Sequence, residues 1–261
     1  MKNNCFTKII YSAFILLVFI PLGTAFAEEG IRTPVSSQEK SQFPYNITYA
    51  WNINKEGSSK MRCTGTIIKD NWLLSAAHCV AREDGSYGSW NTAESETNGS
   101  THNFLMKMYK KNVFVKTPFK PMPGYAGYND LQHDVSVTKI VEPTTINTKT
   151  PTLVIYKDLN RLIGKTVTTT GYSRYYRGDF TKTSGKITAV ESDGTLTVSM
   201  PAAQENSGSA VYLDGEIIGV LTATGPGSEG MIMADTTTVT PFTLDIKSKL
   251  FDPNGISSVV K

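Results

Sequence analysis

"GKITAVESDGTLTVSM", residues 185–200, and "AVYLDGEIIGVLTA", residues 210–223, decide the fold between them. Each consists of two short runs of β-type residues separated by an Asp-Gly pair. Asp193-Gly194 and Asp214-Gly215 tolerate the positive φ angles of a tight two-residue turn, so each stretch reads as a hairpin. The same texture extends outward. "KTVTTTGYS" (165–173) continues it in the second half; "YNITYAWNI" (45–53), "TGTIIKDNWLLSA" (64–76) and "NVFVK" (112–116) carry it in the first. Helical periodicity is confined to "TPFTLDIKSKLF" (240–251), where Thr240 suits a cap, Pro241 a first turn, and Phe242, Ile246 and Leu250 share one face. The expected class is all-β with a C-terminal helix, its regularly spaced short strands forming a sandwich or barrels.

The ends and the composition set the context. Lys2 and Lys8, the apolar run from Ile9 to Leu22 and the small-x-small ending Ala25-Phe26-Ala27 form a secretory signal peptide over residues 1–27. The run is shorter than a membrane span, and the mature protein is expected outside the cell, with no membrane attachment after cleavage. Cleavage removes Lys2 and Lys8 and no acid, so the net charge falls from +3 to +1. That leaves no broad electrostatic footprint for nucleic acid. Residues 28–42, polar and aperiodic, are a flexible leader, a propeptide or an N-terminal arm. "EPTTINTKTPT", residues 142–152, is a Thr- and Pro-rich crossover between a β-rich unit at 43–141 and another at 153–261. Only Cys63 and Cys79 survive processing, and an exported chain with an even count is expected to join them. A zinc site from Cys63, His78 and Cys79 lacks a fourth ligand at usual spacing.

Three separated residues make sense together. In "CTGTIIKDNWLLSAAHC" (63–79), His78 follows a β-type run and two alanines and is tethered at once by Cys79. In "NDLQHDVSVTKI" (129–140), Asp134 opens an alternating run that reads as a half-buried strand. In "AAQENSGSAV" (202–211), Ser207 sits in a turn just before a strand. A serine hydroxyl is a poor nucleophile until a neighbouring base takes its proton. His78 is the candidate base, and Asp134 the carboxylate that fixes its tautomer.

These segments resemble the trypsin/chymotrypsin superfamily of serine proteases, and among its branches are most similar to the bacterial glutamyl endopeptidases. The matching stretches are "FPYNITYAW", "CTGTII…AAHC", "HDVSV", "GKTVTTTGY" and "NSGSAV", which run through nearly all of residues 43–250. The resemblance implies two six-stranded Greek-key barrels with the active site between them. It implies a secreted serine endopeptidase that acts on proteins or peptides by a chemistry requiring no metal or other cofactor; a monomer is expected. His78 and Asp134 would come from the first barrel and Ser207 from the second.

The chain departs from that pattern in three places. The oxyanion hole of the superfamily uses the amides of the nucleophile and of the residue two before it, normally glycine; here these are Ser207 and Glu205. A Cβ disfavours positive φ, so either Glu205 keeps the usual backbone with its side chain outward, or the hole is impaired. Asn206 stands where trypsin-type activation needs an aspartate. In the pocket, the histidine of glutamate-preferring relatives aligns with Leu221, and the base falls at Ala202; Thr222, Ala223 and Thr224 continue the wall. An apolar wall cannot compensate a buried substrate carboxylate, so the expected preference is for an apolar or uncharged side chain. Glutamate preference and a silent binding protein are the alternatives. Thr222 is also placed to support Asp134.

Overall fold

The computed structural model describes residues 30–54, 60–81, 97–98, 101–108, 111–116, 120–139, 150–173, 179–225 and 233–261. The signal-peptide region and most of the 142–152 crossover lie outside them.

Both hairpins form, but only Asp214-Gly215 is a two-residue turn; five residues, 191–195, join the strands around Asp193-Gly194. Asp179–Val190 pairs antiparallel with Leu196–Val198, and Ala210–Leu213 with Glu216–Thr224. Asp214 and Gly215 both take positive φ, +53° and +81°, as the turn demands. With Thr166–Ser173 and Thr237–Pro241 these strands close a six-stranded barrel, because Ala210–Leu213 pairs at once with Glu216–Thr224 and with Thr166–Ser173. Leu153–Ile155 adds to the barrel in parallel, and Ser258–Val260 pairs in parallel with it.

The first half holds a five-stranded antiparallel sheet in the order Thr48–Asn54, Lys60–Ile68, Trp72–Ser75, Ser136–Lys139, Lys120–Pro121. A three-stranded sheet of Thr97–Asn98, Thr101–Met108 and Lys111–Lys116 packs against its first strand. The pairing of Trp72–Ser75 with Ser136–Lys139 matters most for the candidate site. Because the two strands are antiparallel, the exit of the first (Ser75) lies beside the entry of the second (Ser136).

Strand alternation explains the uninterrupted apolar runs. Ala210 and Tyr212 face one core, and Val211 and Leu213 face the other. Leu153 and Ile155 join the first core, Val154 the second. Side chains alternate across a strand, so one buried on both faces reads as continuously hydrophobic. The second core fills the barrel. The first is shared between the halves: Leu74 and Val137 of the five-stranded sheet meet Val220, Phe242, Ile246 and Leu250. This shared core is what fixes the two sheets against each other.

The C-terminal helical segment starts later than its periodicity suggests. Thr240 and Pro241 stay in the strand Thr237–Pro241, opposite Val220 and Gly219. Thr243 is the cap, its hydroxyl accepting from the Ile246 amide at 3.2 Å. Barrel pairing overrides the local cap signal; Pro241, which has no N–H to give, ends the strand. Phe242, Ile246 and Leu250 do share one buried face.

Residues 30–42 are folded onto the barrel. Thr33–Pro34 pairs with Thr181–Lys182, and Arg32 is buried, donating from Nε and Nη2 to the Pro201 carbonyl (3.3 and 2.9 Å) and from Nη1 to Thr181 Oγ1 (3.0 Å). A wholly flexible leader would not make these contacts.

Candidate active site

Cys63 and Cys79 are joined in a disulfide. It ties the strand Lys60–Ile68 to the short turn Ala77–Cys79 that carries His78. Ala76 and Ala77 are fully buried, and only small side chains fit where the chain leaves its strand. His78, Cys63 and Cys79 offer ligand atoms within 4.8 Å of one another. Both sulfurs are spent in the disulfide, so an ion would find a single imidazole there, too little for zinc.

The register of the two antiparallel strands brings Asp134 to His78. Ser136 Oγ donates to the Ala76 carbonyl at 2.9 Å and pins the two strand ends together. Asp134 is 1% exposed and both its oxygens are engaged. Oδ1 accepts from the His78 amide at 2.7 Å, and Oδ2 faces His78 Nδ1 at 2.6 Å. Thr222, reaching from the barrel, also donates its hydroxyl to Oδ2. With Nδ1–H held by the carboxylate, the lone pair of His78 lies on Nε2, where a general base needs it. The ring of Tyr128, exposed to solvent, stands edge-on to the imidazole with centroids 5.9 Å apart. Nearby, burial and then the charge of Asp134 push the Tyr125 hydroxyl well above its ordinary pKa, so it stays protonated.

Ser207 lies on a loop of the barrel that meets the first sheet through its backbone. Its carbonyl accepts from the Thr64 amide at 2.8 Å and lies 3.9 Å from Cys79 Sγ. The loop is also tied to the strand that bears Thr222: Gly208 donates to the Leu221 carbonyl and Leu221 to the Ser209 carbonyl, both at 2.8 Å. Gly208 has φ +83°, and a Cβ there would sit 2.1 Å from Ser75 Oγ, 2.3 Å from the Thr64 carbonyl and 2.9 Å from the Ala76 amide. We therefore expect Gly208→Ala to destabilise the fold by about 3 kcal/mol. Gly194→Ala has the same φ penalty (φ +84°) but open space around it, and is expected to cost only about 1 kcal/mol. Chemical denaturation of the two variants checks the difference; equal losses would show that the contact around Gly208 is not tight.

Glu205 takes φ +76°. It is the third residue of a turn closed by the Asn206 amide donating to the Ala203 carbonyl at 3.1 Å. Positive φ at that position marks a type II turn, ordinarily glycine's place, and a side chain there costs about 1–3 kcal/mol. The backbone is thus the one a glycine would have, and Glu205 carries the strain. Asn206 is fully buried: Oδ1 accepts from the Ala203 amide at 2.9 Å, and Nδ2 donates to the Tyr172 carbonyl. An aspartate would have no proton for Tyr172; the amide serves both sides of the loop.

The residues expected to line the pocket divide. Ala202 (1% exposed) and Leu221 (2%) belong to one apolar cluster. Ala223 and Thr224 continue the same strand, half-buried. The Thr222 hydroxyl is turned to Asp134 rather than along that wall. Thr64, Ser75 and Tyr172 carry no signal in the sequence that marks them as partners of the site. Asn206 stands out there only as a departure from aspartate, not as a strut.

Known proteins resemble this chain to differing extents. The family model described as Trypsin matches residues 35–243. The chain is 30% identical over 110 residues to "Extracellular metalloprotease" of Bacillus subtilis (strain 168), covering 42% of this chain and 32% of that protein. To "Trypsin-1" of Salmo salar it is 27% identical over 135 residues, 51% of this chain and 48% of that one. In both matches the chain spans less than half of the relative's length. Among solved structures, a "Glu endopeptidase in complex with MPD" superposes with a TM-score of 0.62 at 22% identity, covering 88% of this chain and 99% of that chain. That likeness concerns the fold.

Proposed function

The chain belongs to the trypsin family, and from that premise we propose that it is an exported serine endopeptidase working through an acyl-enzyme. The observation that carries the reading is the buried Asp134 carboxylate bracketing His78 at its amide and its Nδ1. In the proposed reaction, His78 Nε2 takes the Ser207 hydroxyl proton as Oγ bonds to the scissile carbonyl carbon. The proton passes to the leaving amine as the C–N bond breaks. A water, deprotonated in turn by His78, then bonds to the acyl carbon, and His78 gives that proton to Ser207 Oγ as the ester bond breaks. Asp134 stays ionised throughout and stabilises the imidazolium. The amides of Glu205 and Ser207 receive the oxyanion.

The positive φ of Glu205 favours the enzyme over a silent binding protein, because it keeps that amide in the orientation a glycine would give. The disulfide is in keeping with export, since such bonds persist in oxidising compartments. No helix among the described residues is long and apolar enough to cross a membrane.

The apolar cluster around Ala202 and Leu221 supports a preference for an apolar or uncharged side chain before the scissile bond. Digestion of a diverse peptide library, read by mass spectrometry, is expected to show cleavage after such residues. Cleavage mainly after Glu, or after Lys and Arg, overturns the pocket assignment and leaves the enzyme. A library left intact by the folded mature protein, with no fluorophosphonate labelling, overturns the enzyme.

A further inference from the structure

Arg32 joins the N-terminal arm to the segment that leads into the proposed pocket. Bonds on either side hold its backbone to the barrel: the Gly30 amide donates to the Ser184 carbonyl and the Val35 amide to the Phe180 carbonyl, both at 2.9 Å. Between them, Thr33–Pro34 pairs with Thr181–Lys182. Arg32 is 4% exposed. An arginine keeps its charge throughout the working pH range, so burying it costs free energy that its bonds must offset.

Two of those bonds meet on one oxygen. Nε and Nη2 donate to the Pro201 carbonyl at 3.3 and 2.9 Å. Proline has no N–H, so this carbonyl is the only hydrogen-bonding group of Pro201. It lies in the Pro201–Ala202 peptide. That unit is planar, so restraining its oxygen restrains the N–H and Cα of Ala202 with it. Ala202, proposed as the pocket base, has only a methyl group, and its place is set by its backbone, which pairs with Ala234. The third bond runs elsewhere: Nη1 donates to Thr181 Oγ1 at 3.0 Å, and that hydroxyl donates to the Gly171 carbonyl at 3.0 Å. Next to Gly171, the Tyr172 carbonyl accepts from the Asn206 side chain. One guanidinium thus ties the start of the segment 201–206 to the strand that receives its end. A lysine in its place has a single nitrogen and cannot supply the fork.

We propose that Arg32 is a positioning residue for the substrate pocket: its guanidinium holds the Pro201–Ala202 peptide where Ala202 forms the base, and the arm is a working part of the mature protein. The inference rests on the endopeptidase reading and its pocket. A residue that shapes the pocket acts on ground state and transition state alike, so its loss raises KM and spares kcat.

The test compares wild type, Arg32→Met and Arg32→Lys. Each is assayed on a chromogenic peptide amide that the wild type cleaves and with a small fluorophosphonate that has no side chain to fill the pocket, alongside thermal melts. Arg32→Met keeps an unbranched chain and loses every donor; KM is expected to rise about 30-fold with kcat within about threefold. Arg32→Lys, with one nitrogen, is expected to show a smaller rise. Labelling by the fluorophosphonate is expected to stay within about threefold of wild type in both variants, because the nucleophile and its base are untouched. The active, labelled wild type is expected to retain Arg32 at its N-terminus, read by mass spectrometry. A folded Arg32→Met with KM near wild type overturns the inference. So does labelling that falls in step with kcat/KM, the mark of general loosening, or a fully active form that begins beyond Arg32. If Arg32→Met does not fold, Arg32→Lys provides the comparison, and an unchanged KM there overturns the inference. A wild type that neither labels with a fluorophosphonate nor cleaves any peptide overturns the endopeptidase reading itself, and the role of Arg32 with it.

Discussion

Ser207→Ala is expected to lower kcat by about a millionfold while leaving the melting temperature close to wild type. Its hydroxyl supplies the oxygen of the acyl bond in the proposed reaction, and neither His78 nor Asp134 can take over that covalent step. Removing it leaves the pocket, His78 and the oxyanion amides, which together retain roughly 10³–10⁴-fold over the uncatalysed reaction. The substitution removes one oxygen from a half-buried residue whose backbone bonds, to Thr64 and near Cys79, are untouched. The check is fluorophosphonate labelling in parallel with hydrolysis of a peptide amide. Both should vanish together on a protein that melts as before. Labelling that survives in Ser207→Ala would assign the nucleophile to another residue.

Asp134→Asn is the second large effect, with kcat expected to fall about 10⁴-fold. The hydrogen bonds around the carboxylate explain the loss and fix which way the new amide must lie. The His78 backbone N–H can only donate, so the atom at Oδ1 must remain an oxygen. The NH₂ therefore falls at the Oδ2 position, facing both His78 Nδ1 and the Thr222 hydroxyl. An NH₂ donating to Nδ1 forces the imidazole proton onto Nε2, the nitrogen that has to accept from Ser207. The side chain keeps its volume and its bonds, so the fold should persist while the base is disabled. KM should change little and the rate of fluorophosphonate labelling should fall with kcat. A variant within tenfold of wild type would mean that the carboxylate does not set the tautomer.

The parts of this site differ in how far the sequence reveals them. His78 is legible because a disulfide-forming cysteine comes directly after it and small residues precede it; Asp134, because it opens an alternating strand. Those signals sit within a few residues of their target. Asn206 and Thr64 carry nothing comparable. The Thr64 hydroxyl meets a carbonyl 141 positions away and an amide 108 positions away, and no local window contains that pairing. Thr240 shows the opposite failure: its local signal is for a helix cap, but pairing with Val220 holds it in a strand.

By itself the sequence determined the β-hairpins, the partnership of two cysteines and the order of the three side chains proposed to react. These rest on alternation, turn chemistry and cysteine count, all of which act along the chain. Tertiary structure alone decided that Glu205 sits at φ +76°, that Asp134 is bracketed from both halves, and that residues 30–42 lie on the barrel. An isolated Ala-Gln-Glu-Asn turn would favour negative φ at its glutamate. In the folded chain the turn instead takes the positive value, with Thr64 and Asn206 bonded to its two ends and a core shared between the halves behind it.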